Sequence, residues 1–272
     1  MPHASDIVVK TEAIALLLYP FSQHSRVVVW LSPDRGRVTT VIKGACRPKS
    51  FFLGQIDTGY RSELLYYAKE AGGSHYIRET SPLDIRPRLR ENWRAAVAAD
   101  YLCWLTAQSS EPMLDSAQLF EALDAALAAL DGGGDPSRTV FAYEFRLLEA
   151  LGLTPSFALC ADCAVASLPR RPCRFLLPSG RPGCSFSAQN RPGESSVALS
   201  PDLLVALDAT RRAALAGEAP PRLPPNLALG VRRFLGLFRC HHLDLSPHPR
   251  RIAFEWLDFG RPKAARAAGG RG

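Results

Sequence analysis

Apolar and polar residues alternate with a period near two through the first eighty residues and with a helical period after that. Residues 7–19, 25–31, 37–43, 55–69 and 75–79 are rich in β-branched, Leu and aromatic side chains and are separated by short turn-forming clusters, which predicts five strands. Ser32-Pro33-Asp34-Arg35-Gly36 has the chemistry of a hairpin turn, because Pro presets φ and Gly supplies a left-handed position. Ala71-Gly72-Gly73 turns the chain between the last two strands. Short strands in so little chain must close on themselves to hide their edges, which predicts a small barrel. A five-stranded barrel of the oligonucleotide-binding type fits the count; an SH3-like barrel fits nearly as well.

From Ser81 the pattern is helical. Residues 90–108 form an Ala-rich stretch with Trp93, Val97, Leu102, Trp104 and Leu105, and residues 115–130 repeat Leu and Ala until Asp131-Gly132-Gly133-Gly134 stops them. Asp135-Pro136 opens the next helix, with Asp as the cap and Pro in the first turn, and Leu151-Gly152 closes it. Val140, Phe141, Phe145, Leu148 and Leu151 fall mostly on one face of it. Another helix runs from Ser200-Pro201 to about residue 217, residues 220–225 are a stiff Pro-rich linker, and a last helix is expected over about residues 226–241. The fold class is therefore α+β. A β-barrel spans residues 1–80, and a helical bundle domain in two parts spans 81–157 and 191–258. A Cys-rich, zinc-ribbon-like segment at 158–190 is inserted between them, and a basic disordered tail follows at 259–272.

A chain of 272 residues is long enough for more than one core, and 47% hydrophobic with 22% charged residues is an ordinary globular balance. The longest apolar run, residues 13–19, is far short of the ~20 needed to cross a bilayer. Residues 1–6 lack the features of an export signal, so a cytoplasmic location is expected. The net charge of +7 is unevenly spread. Residues 1–80 carry ten Lys/Arg against seven Asp/Glu, residues 81–158 six against eleven, and residues 159–272 seventeen against eight. A basic, acidic, basic chain predicts modules with different partners.

The sharpest chemical feature is the cysteine cluster. Cys160-Ala161-Asp162-Cys163 is a C-x2-C knuckle, followed by Cys173 and Cys184. Two thiolates three positions apart on a tight turn can face one ion, and Zn²⁺ takes four such donors at ~2.3 Å. Ser187 stands where a second knuckle would place its second Cys, and a neutral hydroxyl is a poor zinc ligand. Either Cys173 completes the set, or the site binds weakly, or the metal has been lost and the thiols are ordinary. A zinc held by three or four thiolates has no open position and is structural. A redox pair at Cys160 and Cys163 requires a βαβ context, whereas Pro155 and Phe157 precede them and a Pro/Arg-rich loop follows. Cys46, Cys103 and Cys240 stand alone and read as small buried hydrophobes.

The second feature is the stretch 35–51, where Arg35, Arg37, Lys43, Arg47 and Lys49 meet no acid. Arg37, Thr39, Val41 and Lys43 share one side of their strand, Gly44 lets the backbone approach a phosphate, and Phe51, Phe52 and Tyr60 are candidates for stacking on bases. A solvated strand face with both Phe rings in the core is the plainer alternative. Nucleotide-binding Gly loops, nucleophile elbows and His-Glu metal motifs are missing from the sequence. His241 and His242 are neighbours on a helix and point about a hundred degrees apart, which argues against chelation. The carboxylates of the acidic middle read as a solvated helical face.

Three strings carry a family resemblance: Thr11-Glu12-Ala13-Ile14-Ala15-Leu16, Ser25-Arg26-Val27-Val28-Val29-Trp30-Leu31, and the stretch from Gly36 to Ser50 ending in Lys43-Gly44-Ala45-Cys46-Arg47-Pro48-Lys49-Ser50. They resemble the amino-terminal domain of the RecO family of bacterial DNA repair proteins. Phe145-Arg146-Leu147-Leu148-Glu149-Ala150-Leu151-Gly152-Leu153-Thr154-Pro155, leading to Cys160 and Cys163, is similar to that family's approach to its zinc knuckle. These motifs cover roughly residues 10–67 and 140–187. The resemblance implies a recombination mediator rather than an enzyme. Such a protein binds single- and double-stranded DNA, anneals complementary strands, and with RecR helps RecA replace the single-strand-binding protein SSB. It also implies that Arg35, Arg37, Lys43, Arg47 and Lys49 form the barrel's DNA surface and that Cys160, Cys163 and Cys184 match three zinc-ligand positions. The helical domain would hold the acidic SSB tail, and the protein would associate with the nucleoid. On the residues alone two other classes stay open, a zinc-ribbon RNA-binding module of translation or transcription and a metal-dependent nuclease.

Overall fold

The computed structural model describes residues 7–69, 73–157, 172–183 and 195–258, in two compact units, Met1–Thr154 and Pro155–Gly272. The first unit opens with strands β1 (Ile7–Ser22), β2 (Ser25–Ser32), β3 (Gly36–Ile42), β4 (Arg61–Ala68) and β5 (His75–Asp84). They pair in the order β1-β2-β3-β5-β4, and β1 also pairs with β4, so the ring closes. The closure rests on a short parallel contact, Thr40 opposite His75 and Val41 opposite Tyr76. Strand β4 begins at Arg61 rather than near residue 55, because residues 50–60 are spent on consecutive tight turns.

Alternation sends Ala13, Ala15, Val28, Trp30, Val38, Leu64 and Tyr66 into the barrel. Inside it the Trp30 indole N–H donates to Thr40 Oγ1 at 2.9 Å, which satisfies the one polar atom of a fully buried ring. Strand β1 is also buried on its outer side at Ile14 and Leu16, where a helix covers it. The helices of this unit are α1 (Arg88–Glu91), α2 (Trp93–Ser109), α3 (Ala117–Asp131) and α4 (Pro136–Ala150). Helix α2 packs on β1 and β2 and also touches α3 and α4. Asp135 caps α4 as its sequence predicts, accepting from the Arg138 backbone N–H at 3.0 Å with Pro136 in the first turn.

The β2–β3 hairpin is pinned by the connection between α2 and α3. Arg37 N–H donates to Glu111 O, Met113 N–H to Arg35 O and Ser116 N–H to Pro33 O, each at 2.9 Å. Gly36 makes this possible: its φ is +63°, and a Cβ there would sit 2.3 Å from the Glu111 carbonyl oxygen. A second fastening is ionic. Arg86, 1% exposed, donates to Gly59 O and to Asp124 on α3, and Asp124 also accepts from Arg61 of β4 at 3.0 Å. Arg61 in turn reaches Glu12 of β1 at 2.7 Å.

The second unit holds strands β6 (Cys173–Leu176), β7 (Arg181–Gly183) and β8 (Ser196–Leu199), antiparallel in the order β7-β6-β8, with helices α5 (Pro201–Leu215), α6 (Pro225–Leu243) and α7 (His248–Asp258). Its core is aromatic: Phe157, Phe175, Phe234 and Phe238 are all buried, with centroids 5.0–6.2 Å apart among the touching pairs. Ser200 caps α5 by accepting from Leu203 N–H. Two expectations are corrected here. The second helical part, expected over 191–258, also contains the strand β8, because a strand of four residues is too short to display an alternation. The helix ending at Leu243 is not the last of the described ones, since Pro249 sits in the first turn of α7 as a start signal rather than a break. Among the described residues no helix is long and apolar enough to cross a membrane. The tail expected at 259–272 lies outside the described residues.

Replacing Asp124 by Ala leaves Arg86 with the Gly59 carbonyl and Asp84 at 3.3 Å, and half-frees Arg61. The expected loss is about 3 kcal/mol, the lower end of the cost of breaking a buried pair from one side, read as a lower urea midpoint with unchanged slope.

Candidate nucleic-acid interface

The five cations of the stretch 35–51 do not form one patch. Arg35 and Arg37 flank the start of β3, where Arg35 pairs with Asp34 at 3.2 Å and Arg37 donates to the Ala107 carbonyl oxygen at 3.0 Å, near the end of α2. Lys43 lies six residues along the same strand direction, roughly 20 Å away at strand spacing. There Lys43, Arg47 and Lys49 are exposed and, among the described residues, without an acidic partner. The shared side of β3 therefore serves two ends of the barrel with different duties. One end is closed by helices that engage Arg37, and the other is open.

Two cations join the open end through register. Arg26 of β2 lies opposite Ile42, is exposed, and donates from Nε to Cys46 Sγ at 3.1 Å. Lys69 follows β4, and its ammonium and that of Lys43 each stand 4.5 Å from the ring centroid of Tyr76 on β5. One aromatic ring thus orders two like charges, each contact worth about 0.5–1 kcal/mol at an exposed site. Neither pairing is visible in the local sequence, since one depends on the β2–β3 register and the other on the parallel β3–β5 contact. His75 adds no charge at neutral pH: burial, then the Lys69 charge, hold its pKa below the ordinary value.

The loop after β3 is tied to the β1–β2 turn. Gly44 N–H donates to Ser25 Oγ at 3.4 Å and Cys46 N–H to His24 O at 3.2 Å. Turns closed by Arg47 N–H to Gly44 O and Ser50 N–H to Arg47 O then present Arg47 and Lys49 outward. Phe51 is 68% exposed and meets Phe52 edge-to-face at 6.0 Å, while Phe52 packs on the barrel core. Beneath them is a cavity of about 290 Å³ with an apolar wall that includes Leu18, Val28, Ile42, Phe52 and Ile56. Tyr60, expected as a stacking ring, is buried instead, with the Arg90 guanidinium 4.4 Å over its face, so only Phe51 of the three rings is presented to solvent. The expectation that both Phe rings share one role fails because consecutive residues in a turn point to different sides.

The metal reading meets the described residues at one point. Cys173 opens β6, whereas Cys160, Cys163, Cys184 and Ser187 lie outside the described residues. Among the described residues no three His, Cys, Asp or Glu side chains are grouped as metal ligands. His241 and His242 do not chelate together: His242 Nε2 bonds the Leu177 carbonyl oxygen at 2.8 Å and its ring packs on Phe238. Of the lone cysteines only Cys103 is fully buried, and burial pushes its thiol up to about 12; Cys46 and Cys240 are half-buried.

Two family models match the chain. The family model described as "Recombination protein O N terminal" matches residues 7–86, and "Recombination protein O C terminal" matches residues 90–252. The chain is 28% identical over 249 residues to a protein named DNA repair protein RecO from Anaeromyxobacter sp. (strain K), covering 91% of this chain and 96% of that one. It is 32% identical over 158 residues to the protein of the same name from Roseiflexus sp. (strain RS-1), covering 58% of this chain and 55% of that one. The Myxococcus xanthus (strain DK1622) protein of that name is 26% identical over 232 residues, covering 85% and 91%.

Gly44 carries φ +71°, and a Cβ there would come 3.4 Å from the Arg47 side chain. Gly44→Ala is expected to cost about 1–2 kcal/mol for the left-handed backbone, read as a lower melting temperature, and to displace Arg47.

Proposed function

The chain belongs to the RecO family, and from that premise we propose that it is a DNA repair and recombination mediator without enzymatic activity. In this reading it binds single- and double-stranded DNA through the barrel and anneals complementary strands. With RecR as partner it helps RecA load onto strands covered by SSB, whose acidic tail the helical part receives. The observation that carries the reading is the open barrel end, where Arg26, Lys43, Arg47, Lys49 and Lys69 are exposed, as Phe51 is, and have no acidic partner among the described residues. Barrels of the oligonucleotide-binding type hold strands on the β2–β3 face, between the β1–β2 and β4–β5 connections. Arg26 and Lys43 lie on that face, the β1–β2 turn contributes His24 as a tie for the loop, and Lys69 lies on the β4–β5 connection. Annealing brings two anionic strands together without sequence preference, so phosphate contacts dominate it.

Arg35 and Arg37 take no part in the proposed interface, since the first is paired and the second supports the helices. The proposed zinc is structural. Its ligands would be Cys160, Cys163, Cys173 and Cys184, and when bound it would cross-link the segment between α4 and β8. The β6–β7 register supports the choice of Cys173 over Ser187 as the fourth ligand. Gly183, the residue before Cys184, lies opposite Arg174, the residue after Cys173.

The Lys43→Glu, Arg47→Glu, Lys49→Glu triple variant is expected to melt as the wild type does and to lose annealing of SSB-coated oligonucleotides, with or without RecR. Arg35→Glu is expected to anneal normally. The slope of log affinity for single strands against log salt should not exceed about −3.5, the limit for five phosphate contacts. Normal annealing by the folded triple variant, or a preference for structured RNA over single-stranded DNA in competition, rejects the reading. Metal analysis of the purified chain should give one zinc per molecule, falling on Cys173→Ser; retention of the full zinc by that variant removes Cys173 from the ligand set.

A further inference from the structure

Helices α6 and α7 enclose a cavity of about 400 Å³ whose lining includes Arg232, Arg233, Arg239, Arg250 and Arg251. The spacing explains the cluster. Arg232, Gly236 and Arg239 recur at three- and four-residue intervals on one side of α6, and Arg250 and Arg251 approach from the first turns of α7. Gly236 permits the close approach, since a Cβ there would lie 2.9 Å from an Arg250 guanidinium nitrogen. Arg250 donates to the Arg232 carbonyl oxygen at 2.9 Å and lies over Phe254. Among the described residues Asp258 meets Arg232 at 2.6 Å and Glu255 meets Arg251 at 3.8 Å.

Arg239 is the decisive residue. It is 1% exposed, and among the described residues none of its three guanidinium nitrogens has a hydrogen-bond partner. A guanidinium cannot shed its proton to escape burial, so the folded chain carries an uncompensated charge in a poorly screened place. Arg233, exposed and also lining the cavity, has no ion pair among the described residues either. A positive cavity built at such a cost is explained when an anion enters it.

We infer that this cavity is a binding site for a phosphate group. A carboxylate offers two oxygens and one charge, enough for a single guanidinium. A phosphate monoester offers three oxygens and up to two charges, which suits a space lined by several arginines. The charge excess favours the monoester over the backbone diester, which carries one charge and is flanked by sugar on both sides. The two sources of that chemistry are free phosphate and the terminal phosphate of a nucleic-acid strand. The site uses none of the residues of the barrel interface, so it stands or falls apart from the function proposed above.

The full chain, in a buffer free of oxyanions and at constant ionic strength, is titrated with inorganic phosphate and followed by thermal melting and calorimetry. In parallel, oligonucleotides identical except for a 5′-phosphate or 5′-hydroxyl are compared in binding. Phosphate is expected to raise the melting temperature where sodium acetate does not. A preference on the order of tenfold for the phosphorylated end, the scale of one strong charge-assisted contact, identifies the strand terminus as the source. A phosphate response without that preference identifies the free ion. Arg239→Met should melt at or above the wild type without phosphate, because it removes an unpaired buried charge, and should lose the phosphate response. The more exposed Arg233→Ala, Arg251→Ala pair should weaken the response with the fold intact, whereas the Lys43, Arg47, Lys49 triple variant should keep it. No response to either phosphate source overturns the inference. So does an unchanged response in the Arg233→Ala, Arg251→Ala variant, or saturation by an acidic peptide that phosphate cannot displace.

Discussion

A guanidinium that can neither lose its proton nor reach water dictates how the barrel and the first helices are joined. Arg86 stands two residues past the end of β5, with φ +46°, and its head group is spent on the Gly59 carbonyl and the Asp124 and Asp84 carboxylates. Asp124 sits on α3 and simultaneously holds Arg61 of β4, which holds Glu12 of β1. One carboxylate on a helix therefore gathers three strands at the same end of the ring. Burying these charges is costly unless every one is answered, so the arrangement favours a single docking geometry. The apolar contacts of α2 with β1 and β2 add area without fixing register to the same degree.

That docking decides which cations are left for other work. At the helix-covered end the Arg35 and Arg37 side chains are absorbed, one by Asp34 and one by the last turns of α2, and Arg90 is absorbed by Asp57 and the Tyr60 ring. At the far end no helix arrives, and the cations keep their charge for solvent or for a ligand. Residue type and spacing along β3 are the same at both ends. Location relative to the helices makes the difference, and no window of sequence contains it.

The strands and most helices were legible because their signals are local. Period-two burial in β2 to β4, the Gly36 turn, the Asp135-Pro136 start and the Ser200-Pro201 start are each decided within a few residues. What escaped depends on distant partners or on very short elements. Tyr60 is rich in aromatic surface in any sequence reading, yet the Gly59–Tyr60 backbone pairs with Ala15 and draws the ring inward. Arg26, Lys69 and Tyr76 join the interface only through cross-strand register. Strands β6 to β8 have too few residues to show a period, and α7 begins among prolines that suggest a stop. The lone-cysteine reading held for Cys103, whose position inside α2 is set by the helix's own apolar face, and only partly for Cys46 and Cys240, which sit at edges.

The basic, acidic, basic distribution of charge acquires a physical meaning from these placements. In the acidic middle many carboxylates are structural: Asp84 and Asp124 answer Arg86, Asp135 and Asp115 accept from helix-start N–H groups, Asp131 accepts from Arg88 N–H, and Glu144 is buried against the Tyr101 hydroxyl. Such groups contribute little free negative surface, because each is neutralised by a neighbour or a peptide dipole. In the flanking segments the excess is cationic and less completely answered, at the open barrel end in the first unit and around Arg239 in the second. The net charge of +7 is thus not spread as a solubilising coat. Among the described residues two places gather cations without acidic partners, and a charge left unanswered in a folded protein is most simply understood as one reserved for an anion the chain does not itself supply.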